Sequence, residues 1–269
     1  MEKKLTVGDV VRTIRSFAPE GVQESWDNTG LCIGDENSEV TGILVGFDCT
    51  QALVDEAVAM GANLIVTHHP LIFGGIKRIL PSDPVGLAVI KAIRAGISVY
   101  AAHTSADKVV GGVSWAIAER MGLKNVRILD TDRAVSTGEN EYGLGIIGNL
   151  PKPLTPEEAL QTVKKAFGLS VIRSSQPEEG LLISRVAACG GAGTSLIEKA
   201  RSEGAQLYLC GDVSYHHFFT PKGFMLMDIG HYESEIDIVD ILFSLIKKNF
   251  HTFAVRIERS IDTNPIYYF

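Results

Sequence analysis

No Cys-x-x-Cys pair, no run of lysine or arginine, and no apolar stretch long enough to cross a bilayer occurs in this chain. Each absence removes a class of protein. Cys32, Cys49, Cys189 and Cys210 are widely scattered, which argues against a zinc ribbon or a disulfide framework and for reduced thiols in a cytoplasm. A formal net charge of -7 with no basic cluster argues against nucleic acid as a partner. Without an apolar run of membrane length, no spanning helix is expected. The opening "MEKKLTVGDVVRTIRSF" lacks a continuous apolar core and reads as a capped amphipathic helix, not a signal peptide. What is present is 269 residues, 45% hydrophobic and 21% charged, enough to bury a large core in one large domain or two modest ones.

Strand-like and helix-like runs alternate along most of the chain, the pattern of an α/β fold. "GILVGFD", "NLIVTHH" and "ISVYAAHT" read as strands separated by helices, and "GGVSWAIAERMG" closes a first half. The polar segment "DTDRAVSTGENE" marks the expected boundary, giving repeats at 1–130 and 131–269. In the second half "RVAACGGAGTSLIEKARSEGAQLYLCGD" lies over "GILVGFDCTQALVDEAVAMGANLIVTHH" without a gap, at an offset of 143 residues. His68 and His69 then fall on Gly211 and Asp212. The third strands correspond after a shorter intervening helix, and each ends in His-x-x-x-acid: His103 with Asp107, and His231 with Glu235, both at an offset of 128. Self-similarity of this kind tests each strand assignment against the other.

In open parallel sheets, ligands bind beyond the carboxyl ends of the strands. His68, His69, His103, Asp107, His231 and Glu235 all sit at or just after such ends, and imidazole with carboxylate suits zinc, iron or manganese. Neighbours in an extended chain point to opposite sides, and Pro70 biases His69 toward extended backbone. Two ions flanking the strand end are therefore the expectation. If the segment after Gly230 is helical, His231 and Glu235 share a face at i and i+4, and a carboxylate there could bridge two ions. Each residue alone has a plainer reading: His103 as a hydrogen-bonded structural histidine, Asp107 as a helix cap, Glu235 as a solvated helix face. Gly190, Gly191 and Gly193 in "CGGAGTSL" make either a tight turn or an anion-binding backbone. In "GDVSYHHFF", His216 could carry protons for the site, or His216 and His217 could both pack.

The segments "SWDNTGLCIGD", "VTHHPLIF", "YAAHTSAD…GG", "CGGAGTSLIEKA…GAQLYLCGD", "DIGHYESE" and "SIDTNPI" together resemble the NIF-three-like family (NGG-one-interacting factor 3-like proteins). Its bacterial members are commonly labelled GTP cyclohydrolase 1 type 2 homologues. The resemblance covers nearly the whole chain and implies two intertwined, duplicated α/β repeats in the compact form of the family. It also implies a centre of two divalent ions and a toroidal homohexamer. By motif the implied ligands are His68, His69, Asp107, His231 and Glu235, with Glu235 touching both ions. His103 is not among them, and remains with His216 a candidate catalytic residue. One departure is Ala106, where the family usually has a bulky apolar residue. The implied activity is hydrolysis of a nucleotide or related phosphorylated molecule, such as purine-ring opening of GTP. The alternative is a metal-binding or metal-handling interaction protein without turnover.

Overall fold

In a computed structural model of the protein, residues 4–261 and 263–268 are described. Residues 1–3 of the opening segment and Asp262 of "SIDTNPI" therefore lie outside the described residues. The chain forms two compact units. Unit 1 runs to Ala106 and takes back Ile238–Thr263; unit 2 is Asp107–Asp237 with the segment from Asn264.

Unit 1 opens with α1 (Val7–Phe17) and β1 (Gly30–Ile33), followed by β2 (Gly42–Asp48), α2 (Gln51–Met60) and β3 (Leu64–His69). Next come α3 (Pro84–Arg94) and β4 (Ser98–Ala101), and the one-turn α4 (Thr104–Asp107) leads into unit 2. Unit 2 continues with α5 (Val113–Arg120), β5 (Lys124–Thr131), β6 (Gly143–Leu154), α6 (Pro156–Phe167) and β7 (Arg173–Ser174). It ends with β8 (Ile183–Ala188), α7 (Ile197–Ser202), β9 (Leu207–Cys210), β10 (Met225–Asp228) and α8 (His231–Glu235). The chain then re-enters unit 1 as α9 (Asp237–Phe250) and β11 (Arg256–Arg259).

The helix ends follow local chemistry. Thr6 and Asp9 close a reciprocal capping box on α1, which satisfies amides that the first turn leaves without partners. Thr50 caps α2, and Gly61 stops it in a left-handed conformation at φ 73°, where a residue without Cβ meets no steric penalty.

In unit 1 the sheet order is β1-β4-β3-β2-β11, with β1 antiparallel at one edge and the other four strands parallel. Leu44, Ile65 and Val99 pack with Leu53, Val54 and Ala57 of α2 and Ala88, Val89 and Ala92 of α3. The alternate residues Ile43, Val45, Leu64 and Val66 are also fully buried. Both faces of the central strands are thus covered, as a parallel sheet requires. In unit 2 the order is β5-β6-β8-β9-β10-β7, and β8, β9 and β10 are parallel. One face buries Val186, Leu207, Leu209 and Met225 with residues of α5 and α6; the other buries Ala187, Tyr208 and Leu226 with residues of α7.

The two sheets carry the same pairing register. Ile43 pairs with Leu64 and Val186 with Leu207, both members displaced by 143 residues. The third strands agree less simply. Leu64 pairs with Ser98 and Leu207 with Met225, so the strands themselves correspond at 127, one less than the offset of their histidines. The extra residue lies after the strand: one residue stands between Ala101 and His103, and two stand between Asp228 and His231. Gly230, at φ 85°, sits in that longer connection. The shorter helix expected between the second and third strands of unit 2 is a four-residue 3-10 turn, Tyr215–Phe218.

The polar segment 130–141 is the end and loop of a β-hairpin, not a division between units. Ile128 of β5 pairs with Ile146 of β6, a strand that the alternation in "KNVRILDT" carried only weakly. The position 130/131 expected between the repeats therefore falls inside the sheet of unit 2, and the compact units part at Ala106/Asp107 instead. Parallel strands need crossover connections, and here β11, from the far end of the chain, supplies the last strand of unit 1.

The hairpin loop also holds an ion pair. The Lys108 ammonium, 3% exposed at its side chain, lies 2.8 Å from Asp132. The hydrogen bond from Lys108 is the main cause that lowers the Asp132 pKa below its ordinary 3.8. A carboxyl with a depressed folded-state pKa contributes stability above its unfolded value and loses it as pH falls through the folded value. Asp132→Asn should therefore lower stability by about 1–3 kcal/mol at neutral pH. In urea unfolding, the wild-type and variant midpoints should converge as pH drops below about 4. A constant gap down to strong acid would assign the loss to something other than this charge.

Candidate metal centre

The C-terminal ends of β2, β3 and β4 lie at one edge of the unit 1 sheet, and each carries a polar group there. Asp48 ends β2, His68 and His69 end β3, and His103 follows β4 by two residues. His68 is fully buried, and His69 and His103 nearly so. Burying three imidazoles at a strand end is costly unless each ring is hydrogen-bonded. Each is. His68 Nδ1 is 3.0 Å from the Ala102 carbonyl, His69 Nδ1 is 2.8 Å from Asp48 Oδ1, and His103 Nδ1 is 2.7 Å from Asp27 Oδ1. A carbonyl or carboxylate only accepts, so Nδ1 is the protonated nitrogen in all three rings. A neutral ring bound in this way carries its lone pair on Nε2. This is the arrangement that orients histidine toward a metal ion. One ring nitrogen from each of His68, His69 and His103 lies within 4.8 Å of the others.

The expectation that His68 and His69 point to opposite sides is not met. Their ring centroids are 4.8 Å apart, tilted by 45°. Strand alternation assumes regular extended backbone, and the strand is ending here: the Thr67 hydroxyl donates to the His69 carbonyl at 2.8 Å, and Pro70 follows. Phe47 fixes both rings, stacked on His68 at 5.7 Å and edge-on to His69 at 4.7 Å. The number of ions therefore no longer follows from opposed side chains.

Asp27, within "SWDNTGLCIGD", belongs to this arrangement. Its carboxylate is buried and accepts from the Thr104 amide at 3.0 Å and the Thr29 hydroxyl at 3.0 Å. Burial alone would raise its pKa; hydrogen bonds from His103 and Thr104 outweigh that and hold it well below the usual carboxylate range. Asp27 is thus a carboxylate that keeps the His103 proton on Nδ1. Trp26 and Phe73, both exposed, stand edge-on to His103 at 5.9 and 5.5 Å.

Unit 2 repeats the device with other residues. The helix expected after Gly230 is α8, and His231 Nε2 lies 3.0 Å from Glu235 Oε2 across its single turn. His231 Nδ1 is 2.7 Å from Asp212 Oδ2, and Asp212 follows the neighbouring strand β9 by two residues. Asp212 holds φ at 53°, a left-handed conformation that short polar side chains tolerate. Glu235 is buried and Asp107 half-buried. Burial first, and then the charge of Asp107, pushes the Cys189 thiol up. All four cysteines are free thiols.

The glycine turn does not offer an anion its backbone. Gly190 N donates to Ser114 Oγ, Gly191 N to Ser234 Oγ, and Gly193 N to the Gly191 carbonyl. The three amides that would cradle a phosphate are already engaged. What the glycines provide is room: a Cβ on Gly191 would sit 2.2 Å from Glu235 Oε1, and one on Gly190 would sit 3.1 Å from Glu235 Cγ. His216 and His217 are exposed on the 3-10 turn, where His216 stacks with Phe219 and meets Tyr215 edge-on. Among the described residues, neither belongs to a group able to hold a metal ion.

The profile of Duf34/NIF3 (NGG1p interacting factor 3) matches residues 5–265. The chain belongs to that family. A Clostridium perfringens protein named GTP cyclohydrolase 1 type 2 homolog is 33% identical over 233 residues, 86% of this chain and 87% of that one. The crystal structure of a Staphylococcus aureus protein superposes with a TM-score of 0.87 at 29% identity, covering 98% of this chain and 99% of that one. A Bacillus cereus protein related to NIF3 superposes with a TM-score of 0.90 over the full length of both chains, at 22% identity. That last likeness bears on the fold alone.

The glycine turn yields a paired prediction. Gly191→Ala places a methyl on the Glu235 carboxylate, whereas Gly61→Ala, at a similar positive φ of 73°, meets nothing within 4 Å. Both variants should lose about 1–2 kcal/mol to left-handed backbone strain, seen as a lowered melting temperature. Zinc titration should weaken only in Gly191→Ala. Equal zinc binding in both variants would show that the turn has no bearing on Glu235.

Proposed function

We propose that this member of the Duf34/NIF3 family is a divalent-metal-dependent hydrolase of a nucleotide or related phosphorylated substrate, working in a reducing cytoplasm as a toroidal homohexamer. The observation that carries the metal part is the tautomer pattern. His68, His69, His103 and His231 each give Nδ1–H to an acceptor, which leaves Nε2 as the ring atom that would meet an ion; in His231 that atom lies 3.0 Å from Glu235. The ligands assigned are His68, His69, Asp107, His231 and Glu235, and the ions are zinc, iron or manganese. Two ions are proposed because these five side chains, with two oxygens on each carboxylate, exceed what one four-coordinate ion takes.

A bound divalent ion there would supply Lewis acidity and a coordinated water acidic enough to be hydroxide near neutral pH. The protein's part is to hold the donors. Asp48, Asp27, Asp212 and the Ala102 carbonyl fix the rings. Glu235, with two oxygens one helical turn from His231, is the carboxylate best able to bridge. The substrate class rests on the names of the relatives. The engaged amides of the glycine turn leave the triphosphate without the holder expected for it, and this favours a second reading, a metal-handling protein with no turnover.

Elemental analysis after reconstitution should give two ions per chain, and Glu235→Gln should weaken both. Saturation at one ion would remove the dinuclear reading. Turnover of GTP or of a panel of nucleotides and phosphoesters, lost on chelation, supports the hydrolase. Full metal loading without turnover supports the second reading. Light scattering should report six subunits, and a monomer at micromolar concentration would refute the ring.

A further inference from the structure

The loop between β3 and α3 leaves apolar side chains uncovered. Residues 73–80, "FGGIKRIL", form neither helix nor strand, and Phe73, Ile76, Ile79 and Leu80 are all exposed, the last two at 46% each. The ends of the loop are fixed. The Asn28 side chain donates to the Ile72 carbonyl at 2.6 Å, and the Asp83 amide donates to the Leu80 carbonyl at 3.2 Å. Between these ends stand Lys77 and Arg78, both exposed, in a stretch with no acidic residue between Glu56 and Asp83. A chain of net charge -7 thus carries a local cationic point framed by aliphatic side chains. Exposed apolar groups clustered with charge mark an interaction surface.

Unit 2 carries a groove of the opposite character. It is open, about 580 Å³ in volume, and lies at the β7 edge of the sheet. One wall is the segment after β7, with Glu178 and Glu179; the other follows the 3-10 turn, with Phe219 and Lys222. Half-buried Phe218 and buried Phe224 add to the apolar lining, and Phe219 is 72% exposed. The Gly223 amide donates to Glu178 Oε2 at 2.6 Å and ties the walls together. The Arg173 guanidinium lies over the Phe218 ring at 5.0 Å. The groove is therefore formed before anything enters it.

The two surfaces fit each other and not themselves. Two copies of the loop face to face would oppose Lys77 and Arg78 to like charges, and two copies of the groove would oppose carboxylates. Loop against groove sets aliphatic side chains on phenylalanine rings and two cations beside Glu178 and Glu179. Because the partners are different surfaces of one chain, the contact is heterologous, and a heterologous contact builds a ring when its rotation closes. We propose that the 73–80 loop of one copy docks in the Glu178–Phe219 groove of the next copy, and that this contact closes the ring. The proposal rests on the ring reading above and names its interface.

Charge exchange tests it. Lys77→Glu with Arg78→Glu reverses the loop. Gln176→Lys with Glu179→Lys reverses the groove and leaves the Glu178 bond to Gly223 intact. In sedimentation velocity, each reversed protein alone should fall below the wild-type assembly, because its own loop and groove then repel. An equimolar mixture should recover the wild-type size, since each loop meets a groove of opposite sign and the two variants alternate around the ring. Circular dichroism of each variant, together with recovery in the mixture, shows that the chains are folded.

A wild type that assembles, with both variants alone keeping its size, would overturn the loop–groove contact and leave the ring standing. Smaller species from both variants with no recovery on mixing would mean that the two surfaces meet something other than each other, and would overturn it too. If the wild type cosediments with phosphatidylserine vesicles, and Lys77→Glu with Arg78→Glu abolishes this without changing the assembly, the loop meets lipid and the proposal fails. A wild type that is monomeric at micromolar concentration removes the ring, and the contact with it.

Discussion

A hydrogen bond at Nδ1 governs the chemistry of every histidine at these strand ends. A neutral imidazole has one proton and one lone pair, and whichever nitrogen donates determines where the other can bind. In unit 1 the acceptors are Ala102, Asp48 and Asp27; in unit 2 the acceptor for His231 is Asp212. The parallel sheet makes the arrangement possible because its strands all end at one edge. A carboxylate at or just after the end of one strand then lies within reach of a histidine at or just after the end of the next, as Asp48 does for His69 and Asp212 for His231.

The duplicated frame has been filled differently in its two copies. Strand registers repeat at 143 residues, but His69 corresponds to Asp212, so one position is a donor in one unit and an orienting acceptor in the other. Asp48 corresponds to Gly191, which leaves space for Glu235. One residue more after β10 than after β4, with Gly230 at positive φ, changes the approach of His231 relative to that of His103. The two copies therefore place different side chains at the ends of one sheet plan, three imidazoles in unit 1 and a histidine with carboxylates in unit 2.

Apolar runs, turn residues and the repeat are properties of neighbouring residues, and they were legible. The parallel strands β2, β3 and β4, their counterparts β8, β9 and β10, and the helix carrying His231 and Glu235 all lie where the pattern predicts. β5 carries little apolar alternation outside Ile128 and its neighbours, and the polar loop of its hairpin has the composition of a boundary. The opposed placement of His68 and His69 failed for a reason that periodicity ignores: Phe47 of the neighbouring strand packs against both rings.

By itself the sequence determined the α/β class, the duplication, and the presence of imidazoles and carboxylates at the ends of parallel strands. These follow from side-chain period and residue type, which act over a few positions. Only the tertiary structure decided which nitrogen each ring presents, that Asp27 belongs with His103, and that the glycine turn makes room for a carboxylate and not for a phosphate. Those outcomes depend on partners 76 residues apart for Asp27 and His103 and 43 apart for Gly191 and Ser234. No local pattern encodes a hydrogen bond over such a separation; the sheets bring its two ends together.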